Sequence, residues 1–185
     1  KGHAGNHLNE HVDTLARASI TRITKNTFSG LRAFTGASCI SAKGPGGWVV
    51  LLLQDKEVKV LSGRETTTTA NRLQLLAVAQ ALKAATPSKH LDVYTTSKYV
   101  HQGASRWISK WRLQDWKTKS GDIVKNLDVW QSISIHIDDI DVNWHICSAN
   151  ESITEIEVAR NLAQSAALGK NTEEIRELCE TQYHV

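Results

Sequence analysis

The sequence predicts an α/β domain built on a mixed five-stranded sheet flanked by helices. Three observations carry this. Five short segments rich in β-branched and aromatic residues are bounded by turn-forming residues, and helical segments with apolar faces alternate with the last two of them. The first three of these segments follow one another with only short turns between them, as an antiparallel meander does. The chain has 185 residues, 41% of them apolar, which is enough to bury a core of that size.

In order along the chain, residues 1–20 open with a Gly-rich turn and become amphipathic, with Leu8, Val12, Leu15, Ala16 and Ile20 at helical spacing. Residues 21–31 are mostly polar and aperiodic, as a linker would be. LRAFTGASC, GWVVLLLQ and EVKVLSGR read as the three meander strands, turned by GPGG and QDKE. Residues 70–85, rich in Leu and Ala, form a helix that stops before Pro87. HLDVYTT is a fourth strand, and SKYVHQGASRWISKW reads as two short helices broken at Gly103. A loop bearing Trp and Lys leads to the helix NLDVWQSISIHI, the strand DVNWHIC, the helix SITEIEVARNLAQSAAL and a final polar helix, NTEEIRELCETQYHV.

Composition sets limits on function. The 22 Lys and Arg against 19 Asp and Glu leave a formal charge of +3, which permits a nucleic-acid partner without demanding one. Cys39, Cys147 and Cys179 are odd in number and far apart, so neither a disulfide framework nor a zinc site is expected, and an intracellular, reducing compartment is. No apolar run approaches the roughly 20 residues that span a bilayer, so no membrane partner is expected. The chain starts at Lys1 and contains no Met, and therefore reads as a piece of a longer product.

The segments FTGASCISAKGPGGW, TTTANRLQLLAVAQAL, LDVYTTSKYVHQGASRWISKWRLQDWKTKSGDIVKNLDVW and VNWHI occur in this order between Arg32 and Leu168. Together they resemble bacterial-type ribonuclease H, the HI family, and imply a ribonuclease H-like fold. KGHAG, NE, Asp13 and LA in residues 1–19 separately resemble the end of that same fold. The resemblance divides the chain into residues 1–20, the loop and helix that end an upstream copy; 21–31, a linker; 32–168, a complete but degenerate copy; and 169–185, a helical tail. Circular permutation is the competing reading, disfavoured because residues 141–168 already supply a last strand and helix.

The resemblance implies cleavage of the RNA strand of an RNA/DNA hybrid with two Mg²⁺ held by four carboxylates, since Mg²⁺ requires hard oxygen ligands in near-octahedral array. Those positions hold other residues in this chain. FTGA places Gly36 at the first, NRLQL places Gln74 at the second, YTTS places Thr96 at the third, and Arg160 stands at the fourth. No resident metal or other cofactor is therefore expected of the complete copy, and Mg²⁺ only if the parent enzyme is active. In the upstream remnant His3 matches the family's mobile histidine, and Asp13 its fourth metal ligand, with Glu10 on the same acidic face. Flanking-motif agreement is the reason to prefer this over ordinary solvated positions on an amphipathic helix.

A binding surface is also implied. Trp107, Trp111, Trp116, Lys117 and Lys119 resemble the basic handle that grips the DNA strand, where lysines neutralise phosphates and aromatic faces stack. Packing and binding are equally open for Trp107 and Trp111; Trp48, Trp130 and Trp144 are read as packing residues. The handle is diluted, with Arg112, Leu113, Gln114 and Asp115 where the family is more basic. Thr69, Asn71, Arg72 and Asn126 match positions that contact nucleic acid, whereas Ala70 does not, and Ser41, Ala42 and Lys43 replace the first loop's Gly-Asn-Pro. Since 2′-hydroxyl contacts distinguish RNA from DNA, these losses weaken discrimination. His7, His11, His90, His101, His136 and His145 show no metal-like spacing.

The resulting expectation is a catalytically silent domain retained to bind RNA/DNA hybrid or RNA, or to act as a scaffold. One alternative is part of an active Mg²⁺-dependent ribonuclease H whose site is completed by the upstream domain. Another is a structural subunit of a large ribonucleoprotein, with protein contacts through the tail from Lys170 to Val185.

Overall fold

The computed structural model describes residues 30–86, 88–148, 151 and 153–183. The meander is β1 (Leu31–Cys39), β2 (Gly46–Gln54) and β3 (Glu57–Glu65). Then follow α1 (Ala70–Ala85), β4 (His90–Thr95), α2 (Lys98–Gln102), a π-helical turn (Gly103–Trp107), α3 (Ile108–Leu113), α4 (Leu127–Ile137), β5 (Asp141–Ile146), α5 (Thr154–Ala167) and α6 (Thr172–Tyr183). The strand order is β3-β2-β1-β4-β5. β1, β2 and β3 pair antiparallel, whereas β4 pairs parallel with both β1 and β5. This is the mixed five-stranded sheet that the segment pattern predicts.

The period-2 alternation of strand side chains divides the core between the two faces. β2 reads GWVVLLLQ because both faces are covered: Val50 and Leu52 enter one cluster, Val49, Leu51 and Leu53 the other. The first cluster packs the sheet against α1 and α4 through Leu75, Val78, Leu82, Leu91, Val93 and the fully buried Trp130. The second packs it against α5 and α6 through Phe34, Ala159, Leu162, Ala163 and Ile175. α5 sits very close to the sheet. An ideal Cβ on Gly36 would fall on the Ala159 carbonyl and 2.6 Å from the Arg160 amide nitrogen, and one on Gly47 would fall on the Ala163 carbonyl. Glycine on the strands and alanine on the helix are what permit this approach.

One expectation needs correction. The segment after Ser97 is not two helices broken at Gly103 but a helical run carried through Gly103–Trp107 by a π turn. A Cβ at Gly103 would overlap the Trp130 indole, so the chain widens one turn around that ring rather than breaking. The tail from Lys170 packs on the domain through α6. Within α6, Ile175 is fully buried and Cys179 is 2% exposed in the second cluster, and Ser62 Oγ lies 3.2 Å from Thr172 Oγ1. Among the described residues no helix is long and apolar enough to cross a membrane.

Candidate nucleic-acid interface and vacated centre

β1 and β4 run parallel in register from Leu31 opposite Leu91 to Phe34 opposite Tyr94, and beyond that point they lead into a cleft. Gly36 lies two residues past Phe34, where the pairing of β1 with β4 ends, Thr96 just past the end of β4, Gln74 on the first turns of α1 and Arg160 on α5. All four line one cleft of about 540 Å³, with Thr35, Ala37, Lys98, Ile146, Cys147, Ser148 and Ile156. The structure thus brings the four residues singled out in the sequence into one cleft, and no carboxylate is among them. Thr35 is fixed by donating to the Tyr94 carbonyl at 3.0 Å. Gln74 Oε1 is buried and has no hydrogen-bond partner among the described residues, whereas Thr96 and Arg160 are exposed. Neither Lys98 nor Arg160 forms an ion pair among the described residues, where the pairs that do form lie elsewhere.

The expected phosphate contacts cluster at the start of α1. Thr69 caps the helix, its Oγ1 accepting from the Arg72 amide at 3.3 Å. Asn71 is exposed. The Arg72 guanidinium donates to both Asp128 oxygens, at 2.9 and 2.6 Å. Hydrogen bonding to Arg72 holds the Asp128 carboxyl below its ordinary range and outweighs partial burial. Asn126 precedes α4 with φ 59°, a left-handed conformation that Asn tolerates better than most residues. It thereby sets the start of the helix that presents Asp128 to Arg72.

The handle aromatics are a packed cluster. Ring centroids lie 6.3 Å apart for Tyr99 and Trp107, 5.6 Å for Trp107 and Trp111, and 5.3 Å for Trp111 and Trp130. Trp130 Nε1 donates to Tyr99 Oη at 2.9 Å. Packing therefore accounts for Trp107 and Trp111, and Trp48, Trp116 and Trp144 also lie against the first cluster. The outer surfaces of Trp107 and Trp111 still line a shallow depression with Lys110, Gln114, Thr118 and Lys119. Lys117 is exposed and its backbone bridges Ile123 across the loop. Arg112 faces inward instead, donating to Asp138 at 2.9 and 2.7 Å and to Ser134. Sequence reasoning missed Lys110, three residues after Trp107 on the helix face, and Lys98, two residues after Thr96. Asp13 and His3 lie outside the described residues. Among those described, no group of three or more His, Cys, Asp or Glu is placed to hold a metal ion.

Residues 29–168 match the RNase H family model. The chain belongs to the ribonuclease H family. Among its relatives, Ribonuclease H of Brucella anthropi is 38% identical over 134 residues, covering 72% of this chain and 87% of the relative. Ribonuclease HI of Xylella fastidiosa is 35% identical over 142 residues, covering 77% and 95%. Of solved structures, LC9-RNase H1, described as a type 1 RNase H with the type 2 active-site motif, aligns with a TM-score of 0.68 and 27% identity over 76% of this chain and 73% of that one. The foamy viral protease-reverse transcriptase in complex with RNA/DNA hybrid shares the fold, with a TM-score of 0.61 at 21% identity over 74% of this chain and 20% of that one. The ribonuclease H-like fold expected from the motifs is therefore the fold of this domain.

Proposed function

We propose that the described ribonuclease H domain binds RNA/DNA hybrid without cleaving it. One observation carries the reading: Gly36, Gln74, Thr96 and Arg160, which the motifs align with the family's ligands, line one cleft and offer two neutral oxygens, one cation and no anion. Mg²⁺ requires anionic oxygen donors to offset its dehydration, and a guanidinium beside it adds repulsion. The residues present do not fit the ion, and no chemical step is assigned through it. The grip on nucleic acid rests on Thr69, Asn71 and Asn126 with Lys117, Lys119 and the Trp107–Trp111 surface, a salt-dependent contact set.

A second reading has its own support. The relatives are named Ribonuclease H, at 34–39% identity, which favours an active parent enzyme over a silent one. In that case the carboxylates belong to sequence upstream, with Asp13 and His3 contributing to that site, and the Mg²⁺ is held there rather than in this cleft. A role as a ribonucleoprotein subunit has no comparable support.

The test is incubation of the purified chain with end-labelled RNA/DNA hybrid, with and without Mg²⁺ or Mn²⁺, reading retention and cleavage from the same samples. Retention with the RNA strand intact is expected. Metal-dependent cleavage by this chain would overturn the proposal; cleavage that appears only when an upstream ribonuclease H segment is supplied, and is abolished by Asp13→Asn, would establish the second reading.

A further inference from the structure

We propose that the vacated centre is a metal-independent seat for a backbone phosphate, in which Arg160 and Lys98 supply the positive charge that a metal would otherwise bring. The inference rests on the hybrid-binding reading and specifies how the cleft takes part in it. Of the residues lining the cleft, only Lys98 and Arg160 are charged, and both are cations. Neither is neutralised by an ion pair among the described residues. Cations without an ion-pair partner beside a concave, largely apolar wall favour an anion there and disfavour a metal ion. The ligand chemistry follows from the donors. A guanidinium presents a planar fork of N–H groups that matches two oxygens of a phosphodiester, and an ammonium adds a point charge.

Two further features suit an anion. Thr96 and Ser148 bring hydroxyl groups to the same wall, and hydroxyls donate to phosphate as readily as they accept from water. Gln74 matters more. Its Oε1 is buried with no donor, an expensive state for a polar atom. A half-turn of the amide replaces that orphaned acceptor with an NH₂ donor, an option that the family's carboxylate lacks. Gly36 leaves the floor of the cleft without a side chain, and the α5 backbone closes down over it. Arg160 thus brings a cation to one of the four positions, and Gln74 and Thr96 bring groups that can donate to an anion.

The experiment is fluorescence anisotropy with a short labelled RNA/DNA hybrid, titrated in EDTA and in Mg²⁺ across a salt series. Wild type is compared with Arg160→Ala, Lys98→Ala and Gln74→Glu. Binding in EDTA is expected to equal or exceed that in Mg²⁺. Each cation deletion should weaken it by about threefold to tenfold and lower the salt slope by about one. Gln74→Glu, which restores an anion to the cleft, should weaken binding in EDTA. Binding of wild type that is indifferent to Arg160→Ala and Lys98→Ala would overturn the seat and leave hybrid binding elsewhere on the domain intact. Binding that requires Mg²⁺ would overturn it as well. No hybrid binding in any condition would overturn the hybrid-binding reading and the seat together.

Discussion

Replacing Gly36 by Ala is the sharpest test of how α5 sits on the sheet. A Cβ there would coincide with the Ala159 carbonyl, and the obstacle is helix backbone that no rotamer change can move. To restore ordinary contact, α5 must lift by about 1 Å, loosening the buried Ile156, Leu162, Ala163 and Ala166 that it presses onto β1 and β2. Overpacking of a well-filled core costs about 1–3 kcal/mol, and because backbone is involved we expect the upper end, about 3 kcal/mol. At about 2–4 °C per kcal/mol for a domain of this size, the midpoint should fall by about 6–12 °C. If the space were open, the same substitution would instead stabilise the strand by about 0.5–1 kcal/mol, because Gly loses more freedom on folding than Ala. The predictions differ in sign, so urea and thermal unfolding followed by circular dichroism decide between them. Thr96→Asp, at an exposed position, should change stability by less than about 0.5 kcal/mol and serves as the control. A Gly36→Ala protein as stable as wild type would refute the close seating of α5 on the sheet.

Asp128→Asn should release Arg72 and tighten binding to a labelled hybrid by about twofold to threefold at low salt, the reverse of a simple loss of structure. Its cost in stability should stay below about 1 kcal/mol because Asp128 is 63% exposed. Arg72 lowers the folded-state pKa of Asp128, so this contribution is present above the ordinary carboxyl value of 3.8 and is lost as pH falls through the folded one. Urea midpoints of wild type and variant should therefore converge in acid. Arg112→Leu removes the contacts to Ser134 and Asp138 that tie α3 to α4 and should cost about 1–2 kcal/mol by urea unfolding. Burial pushes the Cys179 thiol up to about 12 from an ordinary 9.0. It should resist a thiol reagent at pH 8 until the domain unfolds, while the half-buried Cys39 reacts first. Its contribution to stability is complete below 9.0 and is lost as pH rises toward about 12, which alkaline unfolding of wild type against Cys179→Ala would show.

The strands were legible because each has its own local signal: β2 is an unbroken apolar run between Gly47 and Gln54, β4 alternates, and β1 is a short segment closed off by the turn that leads into β2. That Gly36, Gln74, Thr96 and Arg160 line one cleft was legible because motif spacing locates them whatever residues occupy those positions. What escaped depends on contacts between residues far apart in sequence. Trp130 meets Gly103 only in the folded chain, so the π turn left no local trace. The pairing of Arg72 with Asp128 spans 56 residues, and a phosphate contact in one motif is restrained by an acid in another. Trp107 and Trp111 at helical spacing fit packing and binding equally, and only the ring distances to Tyr99 and Trp130 show that they pack. Lys98 carries no motif at all; its meaning comes from facing the same cleft as Arg160.

The homology of this chain and its architecture end at different places. The family match stops at residue 168, yet α6, which begins at Thr172, brings Ile175 and Cys179 into the core shared by Val58, Val60 and α5. Residues outside the recognisable family segment are thus cemented to the flank of β3, the outermost strand of the meander. Cutting the protein at the homology boundary would lay bare an apolar patch beside an open strand edge, the combination that invites strand-to-strand association between molecules. The unit that inherits the ancestral motifs is therefore smaller than the unit that has to be expressed, purified and studied.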